Sequence, residues 1–487
     1  MVGMSAYTSG GGFDGFNVGS QEQLTELSKA LEAGYQVSGQ TNGSALRVES
    51  LEASLKVTTF SSTHIKLWKK IPKSPAYSTV EQYNQLTSYG DSRVGAFLQE
   101  GELGATQDSS YVRKTALIKY IGTVRQVSHP MTVVHPAHGD VIALENQNGI
   151  NWILERIEDS LFHGDSSLAF DGESEQWSGL DAQIDADSFV DLEGQPLQEA
   201  DVEEAANQIV ENYGYPSDIF LGTRVASDFV KTMYPRERIS LPAPQNGMVG
   251  LSVNSIMTQA GVMELNPNVF LKQAATPPSA ATHSNAPAAP TVALVATSTV
   301  VVNTGVTNGD FNKGAPAGDT NYYSYVFTLS NRFGESAPSP VSANGTQMTQ
   351  ANKDAYRRID VTCANPSPIG NFAPEWINLY RCTPKTTNAS VTDLASYSLV
   401  KKIKVTSQAG GATTVVQDKN LMLPFTEVAY MGEMSPQVLT FRQLLPMMRL
   451  DLAVLAPAYR WMILLYGTPI LFAPKRWLRL LNIGRLV

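Results

Sequence analysis

The pattern along this chain breaks once and then resumes. Residues 60–272 and 425–487 read as mixed helix and strand, while 273–424 is β-rich and of different composition. At about 100–200 residues per domain, 487 residues leave room for two to four domains. An Ala/Pro/Ser stretch at 274–290 (AATPPSAATHSNAPAAP) opens the middle part and is expected to be an extended, exposed linker. Short strand-like runs follow at 292–302, 321–329, 358–362, 376–381, 397–405 and 413–416, the spacing of a β-sandwich. Both cysteines, Cys363 and Cys382, lie there. They read as buried apolar thiols, with a disulfide left open because spacing alone does not decide pairing.

The flanking parts have helical and strand periodicity of their own. Residues 1–20 are rich in Gly and Ser and are expected to be flexible. A short helix is expected at 20–33, with Ser20 and Gln23 as a capping box, Leu24, Leu27 and Leu31 as its stripe, and Gly34 as its end. Residues 61–134 read as a long two-stranded excursion, with strand composition from 111 to 134; such a hairpin has no core and needs a partner surface. One long amphipathic helix is expected from an Asp140 cap to Gly164. Ile150, Ile153, Leu154, Ile157 and Leu161 share one face, and the helix frays at Gly149. A second helix over 199–213 should end with Gly214 at its C′ position, followed by a buried strand at 218–222 and a helix that Thr223 starts and Pro235 stops. Residues 452–473 are apolar but contain Pro457, Arg460, Gly467 and Pro469, so they read as buried strands and not as a membrane span.

Charge and motifs exclude several classes. Charged residues are 17% of the chain against about a quarter in typical soluble proteins, which suggests a surface largely covered in an assembly. A net charge of −9 with interspersed signs lacks the basic stripe of a dedicated nucleic-acid binder. No phosphate-loop, nucleophile-elbow or dinucleotide-binding string occurs, and GGGFDG at 10–15 reads as a tail. His129, His135 and His138 cluster beside Pro130 and Pro136 without metal-ligand spacing, and read as loop histidines. Asp310 and Asp319 lack the order of a calcium loop. Asp185, Asp187, Asp191 and Glu193 read as a solvated acidic loop. Lys66, Lys69, Lys70 and Lys73, near Trp68 and Tyr77, read as an arm pressing on an acidic neighbour in preference to a nucleic-acid patch. No catalytic, cofactor-binding or metal residue is assigned.

The order of these elements resembles the major capsid proteins of tailed phages, the Hong Kong 97-like fold. The string at 213–233 (YGYPSDIFLGTRVASDFVKTM) is similar to that family's axial domain, 140–163 to its spine helix, and 466–487, as a strand pair around Ala473-Pro474-Lys475, to its ending. The resemblance implies an α+β fold with an N-terminal arm (1–60), an extended loop hairpin (61–135) and a core of peripheral and axial domains (136–272 and 425–487). The insert at 273–424 resembles an immunoglobulin or fibronectin type III-like domain, through Asn331-x-x-Gly334-Glu335-Ser336-x-x-Ser339 and Trp376-x-x-x-Tyr380. The implied work is self-assembly into pentamers and hexamers of an icosahedral shell around double-stranded DNA, in a virion assembled in the host cytoplasm. It implies no enzyme activity, no cofactor and no membrane. Lys66 and Lys69 lie in the loop where the family places cross-linking lysines, but no partner is assignable. A separate scaffolding protein, a portal and decoration proteins are the implied partners. The alternatives are a tail, baseplate or fibre protein with a sandwich module, a nanocompartment of the same fold, or a secreted carbohydrate-active enzyme, against which the absent signal peptide counts.

Overall fold

The computed structural model describes residues 59–486 apart from 91–96, 102, 105, 135–138, 167–175, 234–252, 273–274, 292–296, 301–308, 342–344, 371, 390 and 454–455. The expected arm, the Ser20–Gln23 capping box, His135, His138 and Pro235 lie outside the described residues.

The long helix, α3 (Val141–His163), organises one half of the mixed helix-and-strand part formed by residues 60–272 and 425–487. Asp140 caps it by accepting from Ile142 N at 3.0 Å, and Gly164 ends it. Ile153, Ile157, Leu161 and Phe162 are buried, as their spacing requires. The helix does not fray at Gly149. It runs straight through, because the missing side chain makes room for the sheet beneath; a Cβ there would lie 2.6 Å from Ile463 Cδ1. That sheet has the order β1-β18-β19-β4, with β1 (Lys73–Pro75), β18 (Leu439–Asp451), β19 (Ala458–Leu471) and β4 (Lys119–Ser128). Trp461, Ile463 and Leu465 alternate inward from β19 onto the helix, so of the run expected as buried strands at 452–473, residues 458–471 form one largely buried strand.

The expected excursion is two structures. β2 (Val80–Ser88) and β3 (Ser110–Leu117) pair antiparallel as a free-standing hairpin, whereas β4 pairs with β19 in the sheet. Ile118, buried, is the junction between them. Strand composition also overran at 129–133, where Pro130 suits a first helical turn and a short helix, α2 (His129–Val133), forms.

The second sheet has six strands in the order β5-β20-β17-β6-β8-β7: β5 (Phe189–Asp191), β20 (Trp477–Ile483), β17 (Glu427–Gly432), β6 (Asp218–Gly222), β8 (Gly261–Asn268) and β7 (Ser255–Thr258). β6 is buried at every position, and after Asp218 its residues Ile219, Phe220 and Leu221 are all apolar, as suits a strand covered on both faces. α5 (Glu199–Glu211) and α6 (Thr223–Met233) supply Val202, Ala205, Ile209, Val225 and Phe229 to its core. The left-handed residue after α5 is Tyr213 (φ 61°), not the expected Gly214. The strand pair expected around Ala473-Pro474-Lys475 does not form. Pro474 begins a 3-10 turn that carries the chain from the first sheet into the second, so β19 and β20 never pair.

The middle part is a sandwich of two antiparallel three-stranded sheets. One is β11 (Tyr325–Ser330), β14 (Trp376–Cys382) and β15 (Tyr397–Lys404); the other is β16 (Thr413–Asp418), β13 (Ile359–Ala364) and β9 (Thr297–Val300). Phe327, Leu329, Ile377 and Leu379 from one meet Ile359, Val361 and Val416 from the other. A side pair, β10 (Tyr322–Tyr323) and β12 (Thr346–Gln347), flanks them. The Asn331–Ser339 turn has a mechanical explanation. Asn331 Oδ1 accepts from Phe333 N and Gly334 N, and the Ser336 and Ser339 hydroxyls accept from Leu329 N and Phe327 N. Cys363 and Cys382 are free, buried and on opposite sheets, and burial pushes both thiols up. The linker is less exposed than expected. Pro277, Pro287 and Pro290 are buried, and Leu399 N, Thr282 N and Asn331 Nδ2 bond it to the sandwich.

Two predictions follow from this packing. Trp68, Trp177, Trp461 and Trp477 share the core of Ile157, so Ile157→Ala should lower stability by about 3 kcal/mol and move the tryptophan-fluorescence urea midpoint down; an unmoved midpoint contradicts the packing. On α6, burial alone would raise the Asp228 carboxyl, but bonds from Arg485, Lys231 and the Leu486 amide hold it below the usual range. A lowered carboxyl stabilises fully above its unfolded value of about 3.9 and loses that as pH falls through the folded value. Asp228→Asn should therefore flatten the fall of melting temperature between about pH 5 and pH 3; an equally steep fall contradicts it.

Candidate assembly surfaces

The root of the hairpin is fixed by one buried carboxylate. Glu158, fully buried on α3, accepts from three successive backbone amides: Lys66 N at 2.9 Å, Leu67 N at 2.7 Å and Trp68 N at 2.9 Å. These are the orphan donors that begin the short helix α1 (Leu67–Lys70), so a side chain some ninety residues away does the capping. Asn268 Nδ2, at the end of β8, donates to the same carboxylate at 2.7 Å. The sequence hints at this residue only by placing an acid on the apolar stripe of α3, next to Ile157.

The four lysines divide by role. Lys70 Nζ lies 2.5 Å from Asp218 Oδ1 and 2.7 Å from Glu264 Oε2, on β6 and β8. Burial works to lower its pKa, and the two acids outweigh it and hold it above the usual value. Lys73 sits 4.3 Å over the Trp68 ring, and burial pushes its pKa down. Lys69 donates to Ser62 O, and Lys66 contributes its backbone amide to Glu158. The acidic neighbour of this arm is the chain's own second sheet.

From that root the hairpin projects with both its edges unpaired among the described residues. Tyr83 packs edge-on against Phe472 with centroids 5.0 Å apart, and Gln85 Nε2 donates to Phe472 O. Otherwise Val80, Leu86, Tyr111, Val112 and Leu117 are exposed, and toward the tip Phe97 is 100% and Leu103 95% exposed. A second apolar area lies on the face of the four-stranded sheet away from α3. Register places Tyr120 beside Tyr466 and Val124 beside Met462, with Met448 and Leu450 on β18 next to them. Tyr120, Val124, Met448 and Leu450 are each more than 40% exposed. Contiguous exposed apolar surface of this kind marks an interaction site.

The remaining candidates have structural roles. His129 stacks on Tyr459 at 6.0 Å, and no group of residues suited to a metal occurs among the described residues. Asp310 and Asp319 accept from Asn312 N and Gln350 N, as local turn and helix-end bonds. Asp185 Oδ1 likewise accepts from Asp187 N, and Asp191 Oδ1 from Glu193 N. Asp191 is not a solvated loop acid. It lies on β5 and pairs with Lys313 at 2.8 Å, a partner 122 positions away that spacing does not reveal.

The family model of the SU10 major capsid protein matches residues 36–302, more than half of the 487. The chain is 28% identical over 470 residues to the major capsid protein of Staphylococcus phage K, covering 94% of this chain and 95% of that one. It is 27% identical over 470 residues to that of Staphylococcus phage S25-3, with the same coverage. Among solved structures it is similar to Gordonia phage Cozz, at 9% identity and a TM-score of 0.44 over 92% of this chain and 95% of that chain, too loose a superposition to argue from.

Glu158→Ala would leave the buried Leu67 and Trp68 amides without an acceptor, at about 1–3 kcal/mol each, and free that of Lys66, so the segment 62–75 should become a site of rapid proteolysis; unchanged resistance contradicts the capping role. The family match sets aside the tail-fibre and carbohydrate-active alternatives: this chain belongs to the SU10 major capsid protein family, and its work is that of a virion shell subunit.

Proposed function

We propose that the shell is icosahedral, built of pentamers and hexamers of this chain around double-stranded DNA held by confinement. In each contact the β2–β3 hairpin of one copy lies on the β4–β19–β18 face of the next. The observation that carries this reading is the pairing of two exposed apolar surfaces on one chain, a projecting limb and an uncovered sheet face. Repetition of such a contact closes rings, and obligate interfaces of this type bury more than about 2,000 Å². The role is mechanical, without catalysis. A scaffolding protein and portal direct closure, and decoration proteins are further partners.

The 273–424 segment is, in this reading, an inserted immunoglobulin-like domain displayed on the outer surface. What supports insertion is where the chain leaves and returns. β8 and β17 flank β6 on either side, and a Cβ on Gly222 would collide with both the Leu271 carbonyl and the Glu427 carboxylate. Two strand spacings separate exit from return, about 10 Å.

Two tests apply. Phe97→Asp with Leu103→Asp should leave circular dichroism unchanged while abolishing hollow particles in electron micrographs of the purified protein; undiminished particle yield contradicts the hairpin contact. Replacing residues 275–423 by a short Gly/Ser linker should leave a soluble shell part with its helical signal, and aggregation with loss of that signal would sink the insertion reading.

A further inference from the structure

We infer that a polar clamp centred on Asn482 holds the sandwich module in one fixed attitude on the shell part. The inference rests on reading 273–424 as an inserted module. The apolar cores argue for it first. The described residues form four buried apolar clusters, two in the shell part and two in the module, and none contains residues of both. No shared apolar seam sets the angle between them.

Polar contacts do cross among the described residues, and several of them meet at one side chain. Asn482, fully buried at the end of β20, has φ 57°, a left-handed conformation that Asn tolerates better than most residues. Its Oδ1 accepts from Leu423 N at 2.7 Å and Thr426 Oγ1 at 3.4 Å. Its Nδ2 donates to Leu421 O at 3.0 Å and Asp191 Oδ1 at 2.8 Å. Asp191 in turn holds Lys313 of the module. Burial tends to lower the Lys313 pKa, and Asp191 outweighs it and keeps the ammonium charged.

The other end of the same segment is tied inside the module. Arg381, buried, donates to Asp418 Oδ2 at 2.6 Å, Asn420 Oδ1 at 2.5 Å and Met422 O at 3.1 Å. Asn420 Nδ2 reaches back to Asp310 O and Lys313 O. Residues 418–426 are thus strung between Arg381 and Asn482. An open cleft of about 500 Å³ lies beside them, lined by Lys313, Arg381 and Arg485 together with Leu423, Pro424 and Phe425, so the two parts are not packed shut here. Buried polar networks of this kind fix a geometry without fusing two cores. Every copy in a shell then presents its module at the same angle, and loss of the clamp frees the module while both parts stay folded.

Hydrogen–deuterium exchange on the full-length chain tests this. Asn482→Gly keeps the backbone conformation and removes the side chain; Lys313→Met leaves Asn482 in place and removes the module's ion pair. Each should raise exchange in 419–426 at least tenfold, with β11, β14 and β6 unchanged. Unchanged protection of 419–426 in Lys313→Met, or in a folded Asn482→Gly, overturns the clamp. A matching rise in β11 and β14 overturns it differently, by showing that the module does not fold apart from the shell part, which defeats the inserted-module reading itself.

Discussion

The structure depends on a buried carboxylate that, among the described residues, is held by amides and not by an ion pair. Glu158 is satisfied by three consecutive backbone amides and one side-chain amide. Those donors belong to the hairpin root and to the end of β8, so one residue of the long helix joins the projecting limb to both sheets. A buried charge is costly unless fully hydrogen-bonded, and here each bond also fixes a chain segment that has little core of its own. Trp68 continues the tie, packed edge-on against Phe441 at 4.8 Å, and Lys70 completes it across Asp218 and Glu264. The limb is therefore tied at its root and, beyond the Tyr83 and Gln85 contacts with Phe472, largely exposed.

That asymmetry gives the shell subunit its character. Apolar surface is spent in two ways. Trp461, Ile463 and Leu465 of the four-stranded sheet close on α3, while Tyr120, Val124, Met448 and Leu450 are exposed on its other face, on a chain whose hairpin also carries exposed apolar residues. Edges and faces of this type are normally blunted or covered in a solitary protein. Their retention suits a chain whose neighbours are copies of itself. The sandwich is different in kind. Most of its large apolar residues close on its own core, and among the described residues it meets the rest of the chain through the Asn482 amide and the Lys313–Asp191 ion pair.

What could be read from the sequence was local. The Asp140 cap and the spacing of Ile153, Ile157 and Leu161 place α3 within a residue of its observed ends, and the short buried strand expected at 218–222 is β6 itself. The strands of the sandwich stand out for the same reason, since each is bounded by its own turn residues. What failed was non-local. Nothing near 119–128 says that its partner is 458–467, and nothing near Pro474 says that the strands on either side enter different sheets. Asp191 looks solvated until Lys313 is seen, and Glu158 looks like an ordinary helix-surface acid until the α1 amides are seen. In each case the energy of the interaction comes from a partner brought close only by the finished fold.

The most direct measurement is a cryo-electron-microscopy reconstruction of particles formed by the purified chain. The account predicts density for the β2–β3 limb of each subunit lying across Tyr120, Val124, Met448 and Leu450 of its neighbour. Particles in which that sheet face is open to solvent, with the limbs contacting nothing, would contradict it.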